Sequence, residues 1–223
     1  MEYPQHFGKS VKANNEYRNR FLMQVLFLSL IVIGRLQARD KREEYVSFRF
    51  LGLARHLIDV RSNAPYYPVK LDEEAKYVFN PGVLVAYDYG LATKSPLFLR
   101  VVSSFYMDCA GQPASYAACY LHFPAIFRGG RWSVGSGLGL AIDLRRNWRK
   151  YVPQAEGIRL FHDWGFVEAA IGPYSEIEFL YRLDDGPELV LNVVPGLPVI
   201  LFLTAGVRMP LSNLRSSRKM TER

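Results

Sequence analysis

The chain has 223 residues, is 49% hydrophobic and 14% aromatic, and carries a formal charge of +7. That composition excludes a disordered or low-complexity chain, and a mean hydropathy of -0.03 does not suit a bundle of transmembrane helices. Much of the positive excess sits at the ends, in Lys9, Lys12, Arg18 and Arg20 and in Arg215, Arg218, Lys219 and Arg223. No basic helix or basic-aromatic platform lies between them, so no nucleic-acid partner is expected.

Residues 1–20 are polar and basic, and residues 21–33 form an apolar run interrupted only by Gln24 and Ser29. Such a run is shorter than the roughly 20 residues a membrane-spanning helix needs. It matches the apolar core of a secretory signal, so residues 1–38 read as a signal peptide cleaved after Ala38. The alternative is a short amphipathic or buried helix.

From Val46 onward the pattern has period two, broken by turn residues. It is clearest in 132–143, where Trp132, Val134, Leu138, Leu140 and Ile142 oppose Ser133, Gly135, Gly137, Gly139, Ala141 and Asp143. A large apolar face against a small and polar one is the alternation of a barrel strand with lipid outside and a tight lumen inside. Eight such segments follow in order: 46–57, 83–91, 97–106, 115–123, 132–143, 175–183, 188–194 and 199–209. Long connections (58–79, 107–114, 145–163) alternate with short ones (92–95, 125–131, 184–187), as in barrels with long outer loops and short inner turns. The connection 195–198 is the exception.

The expected architecture is all-β: an eight-stranded antiparallel up-and-down transmembrane β-barrel over residues 39–211, with a basic tail over 212–223. Its expected place is the bacterial outer membrane, as a monomer. A barrel this narrow holds side chains or one small ligand. The inward candidates Phe98, Val102, Leu180, Val190, Ile200 and Phe202 either form a greasy lumen for an acyl chain or pack on one another. Arg100, Glu176, Glu178 and Arg182 read as lumenal ion pairs, and Tyr87, Tyr89, Trp132 and Trp148 as interface aromatics.

The loop after the third strand pairs Asp108 with Cys109 between Tyr106 and the turn residues Gly111 and Pro113, and His56 closes the first strand. Strands one and three end on the same side, so these residues share a rim. A histidine beside a thiol can act as general base toward a nucleophile, with the carboxylate orienting the imidazole. The plainer readings are a surface histidine, a turn-forming aspartate and an inert cysteine. Cys109 and Cys119, ten positions apart, are too distant along an extended chain to bridge. The four histidines, His6, His56, His122 and His162, show no ligand spacing, so no metal or other cofactor is expected.

Taken in order, four fragments carry a resemblance: His56; Asp108-Cys109; Asn147-Trp148 followed by Tyr151-Val152-Pro153; and Gly186-Pro187 followed by Val194-Pro195-Gly196. They resemble the lipid A palmitoyltransferase family of outer-membrane barrels. The likeness runs from about Arg49 to Met209. It implies acyl transfer from a phospholipid to lipid A, with membrane lipids as partners and His56, Asp108 and Cys109 in the catalytic positions. Cys109 stands where the family has serine. Tyr120 falls where characterised members have the glycine that floors the acyl pocket, and with Phe98 and Phe202 it is a candidate for lining that pocket. If Tyr120 points inward, a full palmitoyl chain would not fit.

Overall fold

The computed structural model describes residues 43–91, 96–151, 161–184, 186–196 and 200–212. The expected signal peptide and nearly all of the basic tail lie outside them. Among the described residues, eight antiparallel strands form the barrel wall: β1 (Glu44–His56), β2 (Tyr77–Gly90), β3 (Phe98–Met107), β4 (Pro113–Gly129), β5 (Trp132–Arg146), β6 (Val167–Arg182), β7 (Glu188–Gly196) and β8 (Ile200–Pro210). Each pairs with the next, and β1 pairs with β8, so the sheet closes on itself. Following partners from Arg182 through Glu188, Arg208, Ser47, Ala86, Val102, Ala118 and Ala141 returns to β6 at Gly172, ten residues away. That stagger is the shear a closed barrel of tilted strands requires.

Three strands, β2, β4 and β6, are much longer than the alternation predicts, because bulges and prolines break period two without ending the strand. β2 starts at Tyr77 rather than Val83. Leu51 pairs with Gly82 but Leu53 pairs with Phe79, so Asn80 and Pro81 form an irregularity opposite Gly52. β4 runs on to Gly129 through a register shift between Phe123 and Phe127, so the expected turn 125–131 shrinks to residues 130–131. β6 starts at Val167 rather than Ser175 and continues through Gly172 and Pro173, both paired to β5. The two twenty-residue connections, 57–76 and 147–166, leave the same end of the barrel, here called the outer rim. The first contains a short 3-10 helix (Arg61–Tyr66); the second contains a helical turn (Trp148–Tyr151) and a two-residue ladder, His162–Asp163, against β6.

The burial pattern is inside-out. Leu138, Leu140 and Ile171 are 68%, 64% and 68% exposed, and Phe48, Phe50, Val83, Phe105, Leu121, Ile177 and Leu191 also face outward. An apolar outer belt on a closed barrel, whose strands hydrogen-bond to one another within the wall, is the form that a lipid bilayer accepts. No helix among the described residues is long and apolar enough to cross a membrane.

The lumen is not greasy. All six inward candidates are buried, but so are Arg49, Asp88, Arg100, His122, Glu176, Glu178, Glu188, Asn192 and Arg208. Arg100 donates to Asp88, to Glu176 (2.6 Å) and to Glu178 (2.6 Å), Arg49 donates to Glu178 (2.5 Å), and Asn192 donates to Glu176 (2.5 Å). Arg208 joins Asp88 and Glu188, each at 2.8 Å. Arg182, expected in this network, instead sits half-exposed at the inner end, 3.6 Å from Glu188. Burying unpaired charge is costly, so the apolar side chains serve as packing around a densely paired ionic layer.

Candidate active site

His56, Asp108 and Cys109 line one cavity of ≈ 240 Å³ at the outer rim. Its walls include Val60, Asn63 and Tyr67 from connection 57–76, Asn80 from β2, Asp143 and Arg145 from β5, Trp148, Phe161, and Ile200 and Phe202 from β8. The volume is below the roughly 300–1,000 Å³ of pockets for drug-sized ligands. It suits a small group or the end of a chain.

Asp108 opens a tight turn that Gly111 closes at φ +69, a conformation glycine adopts without strain. Its Oδ1 accepts from the amides of Ala110 (3.0 Å) and Gln112 (2.8 Å), and its Oδ2 accepts from the indole N–H of Trp148 (2.6 Å). Desolvation pushes the Asp108 carboxyl above the usual aspartate range, against the pull of those donors. None of its hydrogen bonds goes to His56, so the carboxylate is a turn former and loop anchor and does not orient the imidazole.

Cys109 is a free, buried thiol. Burial and the neighbouring Asp108 push it up to about 12, so at neutral pH it is the thiol and not the thiolate. Its side-chain partner is the Tyr67 hydroxyl, which is also hydrogen-bonded to Asn63. The Tyr67 ring stacks on His56, with centroids 5.5 Å apart, and meets Trp148 edge-on at 5.8 Å. Tyr67 therefore links the two candidate catalytic side chains, which make no direct bond to each other. His56 itself places Nδ1 2.8 Å from the Ala75 carbonyl oxygen.

Trp148, expected at the membrane interface, is buried at 1% exposure. Arg145 stacks over its ring (4.1 Å) and that of Phe161 (4.0 Å) while donating to Glu168 (2.8 Å). Tyr89 is likewise buried, whereas Trp132 does face outward.

The three pocket candidates separate. Phe202 lines the cavity and packs edge-on against Tyr106 at 5.4 Å. Tyr120 points inward, as the length limit on an acyl chain requires, and sits below the cavity in a stack with Tyr174 (4.7 Å) and, through it, Tyr116 (6.0 Å). A Cβ on Gly137 would meet its ring at 2.6 Å, so the small residues of β5 are what admit Tyr120 to the lumen. Phe98 lies at the far end against Tyr45 and takes no part in the cavity.

Sequence reading missed Tyr67, Ala75 and Arg145. They sit in or beside long connections, where no periodicity reports direction. The Asn147-Trp148 pair was the available signal for the Trp148 anchor.

Among the described residues, Ala170–Glu176 pair with β5 alone, because β6 meets β7 only from Ile177 onward. Asp143 and Ala170 are partners, so this stretch begins at the level of the cavity.

No protein-family model matches the chain, and no curated protein does. Among solved structures, it is similar to Neisserial surface protein A (11% identity, TM-score 0.47), covering 74% of this chain and 96% of that one. It is also similar to Ail of Yersinia pestis (9%, TM-score 0.39, covering 77% and 98%) and to the N-terminal barrel domain of Pseudomonas aeruginosa OprF (14%, TM-score 0.38, covering 76% and 99%). At these identities the likeness is one of fold alone.

Proposed function

We propose that this chain is an outer-membrane barrel that transfers an acyl group from a phospholipid to lipid A at its outer rim. One observation supports the reading above others: His56 and the Asp108-Cys109 pair, more than fifty residues apart, meet on one small, mostly apolar cavity. The stretch of β6 at the same level, paired with β5 alone among the described residues, offers a way in from the bilayer for an acyl chain.

In the proposed reaction, Cys109 Sγ attacks the phospholipid ester carbonyl while its proton passes to His56. The carbon–sulfur bond forms, the ester bond breaks, and the proton goes on to the departing lysophospholipid hydroxyl. A lipid A hydroxyl then attacks the thioester, its proton passing through His56 back to Cys109. Because the thiol is protonated at rest, deprotonation must accompany attack. The Tyr106, Phe202 and Tyr120 floor limits how deeply a chain enters.

The assay is purified barrel in mixed micelles of labelled phospholipid and lipid A. Expected products are labelled lipid A and lysophospholipid in equal amounts, both lost in Cys109→Ala. Absence of both products from the native barrel would reject transfer. A second reading, a silent barrel that only holds a lipid chain, is favoured by the protonated thiol and the fully engaged Asp108. In the same assay it gives retained phospholipid and no turnover.

A further inference from the structure

The two ring nitrogens of His56 have different surroundings. Nδ1 stands 2.8 Å from the backbone oxygen of Ala75. A carbonyl oxygen only accepts, so Nδ1 carries the hydrogen in that bond, and a neutral imidazole protonated there has its lone pair on Nε2. We infer that the Ala75 carbonyl is a positioning element of the rim site, holding His56 as the Nδ1–H tautomer with Nε2 as the proton acceptor. The purpose of this arrangement rests on the acyl-transfer reading; its geometry does not.

The turn that presents this carbonyl is over-determined. Ala75 is fully buried and has φ +56, a left-handed conformation uncommon for a residue with a side chain. Asp72 fixes it: its backbone oxygen accepts from Ala75 N (3.1 Å), and its carboxylate accepts from the amides of Lys76 (3.2 Å) and Tyr77 (2.8 Å). The backbone N–H of His56 in turn donates to the Lys76 oxygen at 2.8 Å. The turn thus grips His56 through both main chain and ring, while Tyr67 stacks on the ring at an interplanar angle of 28°. The role that the family resemblance gives to a carboxylate is filled by a peptide group of connection 57–76, which leaves Asp108 to anchor Trp148.

The test is a long-range proton–nitrogen spectrum of the full-length barrel in nanodiscs, labelled with 15N-histidine, with His56→Gln identifying the signal. The expected pattern is Nδ1–H, unchanged in Asp108→Asn and converted to a mixture of tautomers in Asp72→Ala. An Nε2–H pattern in the native barrel, a switch in Asp108→Asn, or no change in Asp72→Ala would each overturn the inference. Gel mobility verifies that the variants fold, and the native spectrum decides alone if they do not. The measurement reads no turnover, so a barrel that shows the Nδ1–H pattern but fails the transfer assay rejects the activity and not the tautomer.

Discussion

The ionic layer in mid-lumen and the cavity at the outer rim both bury carboxylates, guanidinium groups and a histidine, and they use them in opposite ways. In the layer, charged groups from different strands bond to one another: Arg100 of β3 reaches Asp88 of β2 and Glu176 and Glu178 of β6. His122 stands 3.0 and 3.2 Å from the same two glutamates, though at angles that leave neither ring nitrogen well hydrogen-bonded. His122, Glu176 and Glu178 have metal-ligand spacing, but Arg49 and Arg100 already occupy the carboxylates. At the rim, Asp108 bonds to its own loop and to Trp148, and His56 bonds to a loop carbonyl, all beside the cavity. Mutual pairing ties strands together and closes the lumen. Bonds directed to loops hold side chains still beside a cavity, which is what a site requires.

Changes in the layer should therefore cost stability, and changes at the rim should cost function. The largest effect is expected for Arg100→Met, which strands Asp88, Glu176 and Glu178 without their shared partner. Losing one member of a buried ion network costs about 3–5 kcal/mol, read as a lowered urea midpoint in lipid. A loss below about 1 kcal/mol would mean that the layer does not hold the barrel together.

Cys109 sharpens the contrast from the other side. In a Cys119→Ser background, iodoacetamide at about pH 8 should label Cys109 on the order of a thousand-fold more slowly than a free thiol, because the thiolate is that much scarcer. Labelling at the free rate would show that the thiol is not buried as described. Trp148→Phe removes the indole donor to Asp108 and should cost about 1.5–3 kcal/mol, the range for a hydrogen bond to a charged group. Its readout is thermal unfolding followed at the rim by a fluorescent label.

The smallest effect is pH-dependent. Arg61 hydrogen-bonds and pairs with exposed Asp59 and holds its carboxyl down to about 2. A depressed folded-state value adds stability above the ordinary aspartate range, lost as pH falls toward about 2. Asp59→Asn should flatten that shallow acid limb and leave the neutral midpoint unchanged. An unaltered acid limb would mean that the pair is loose in solution.

The strand count, the lipid-facing set of β5 and the shared rim of His56 and Cys109 were legible because alternation reports direction wherever it is regular. It failed at Asn80-Pro81 and at Gly172-Pro173, where a bulge and a proline change the period inside a continuing strand. The lumen was half legible. Arg100, Glu176 and Glu178 stood out as inward charges, but their pairing with Arg49, Asp88 and Arg208 depends on the stagger of the closed barrel, which no single strand encodes. Tyr67 and Ala75 were invisible for a different reason. Their positions follow from how connection 57–76 folds back over the rim, and a turn in which a buried alanine adopts positive φ leaves no mark in composition.

The most direct test of the rim as a working site is mass spectrometry of lipid A from cells producing the native barrel, His56→Ala or Cys109→Ala. With all three proteins folded, one added acyl chain on lipid A is expected for the native barrel and for neither variant. An unmodified lipid A in cells with the native barrel, or an added chain that survives Cys109→Ala, would contradict the account.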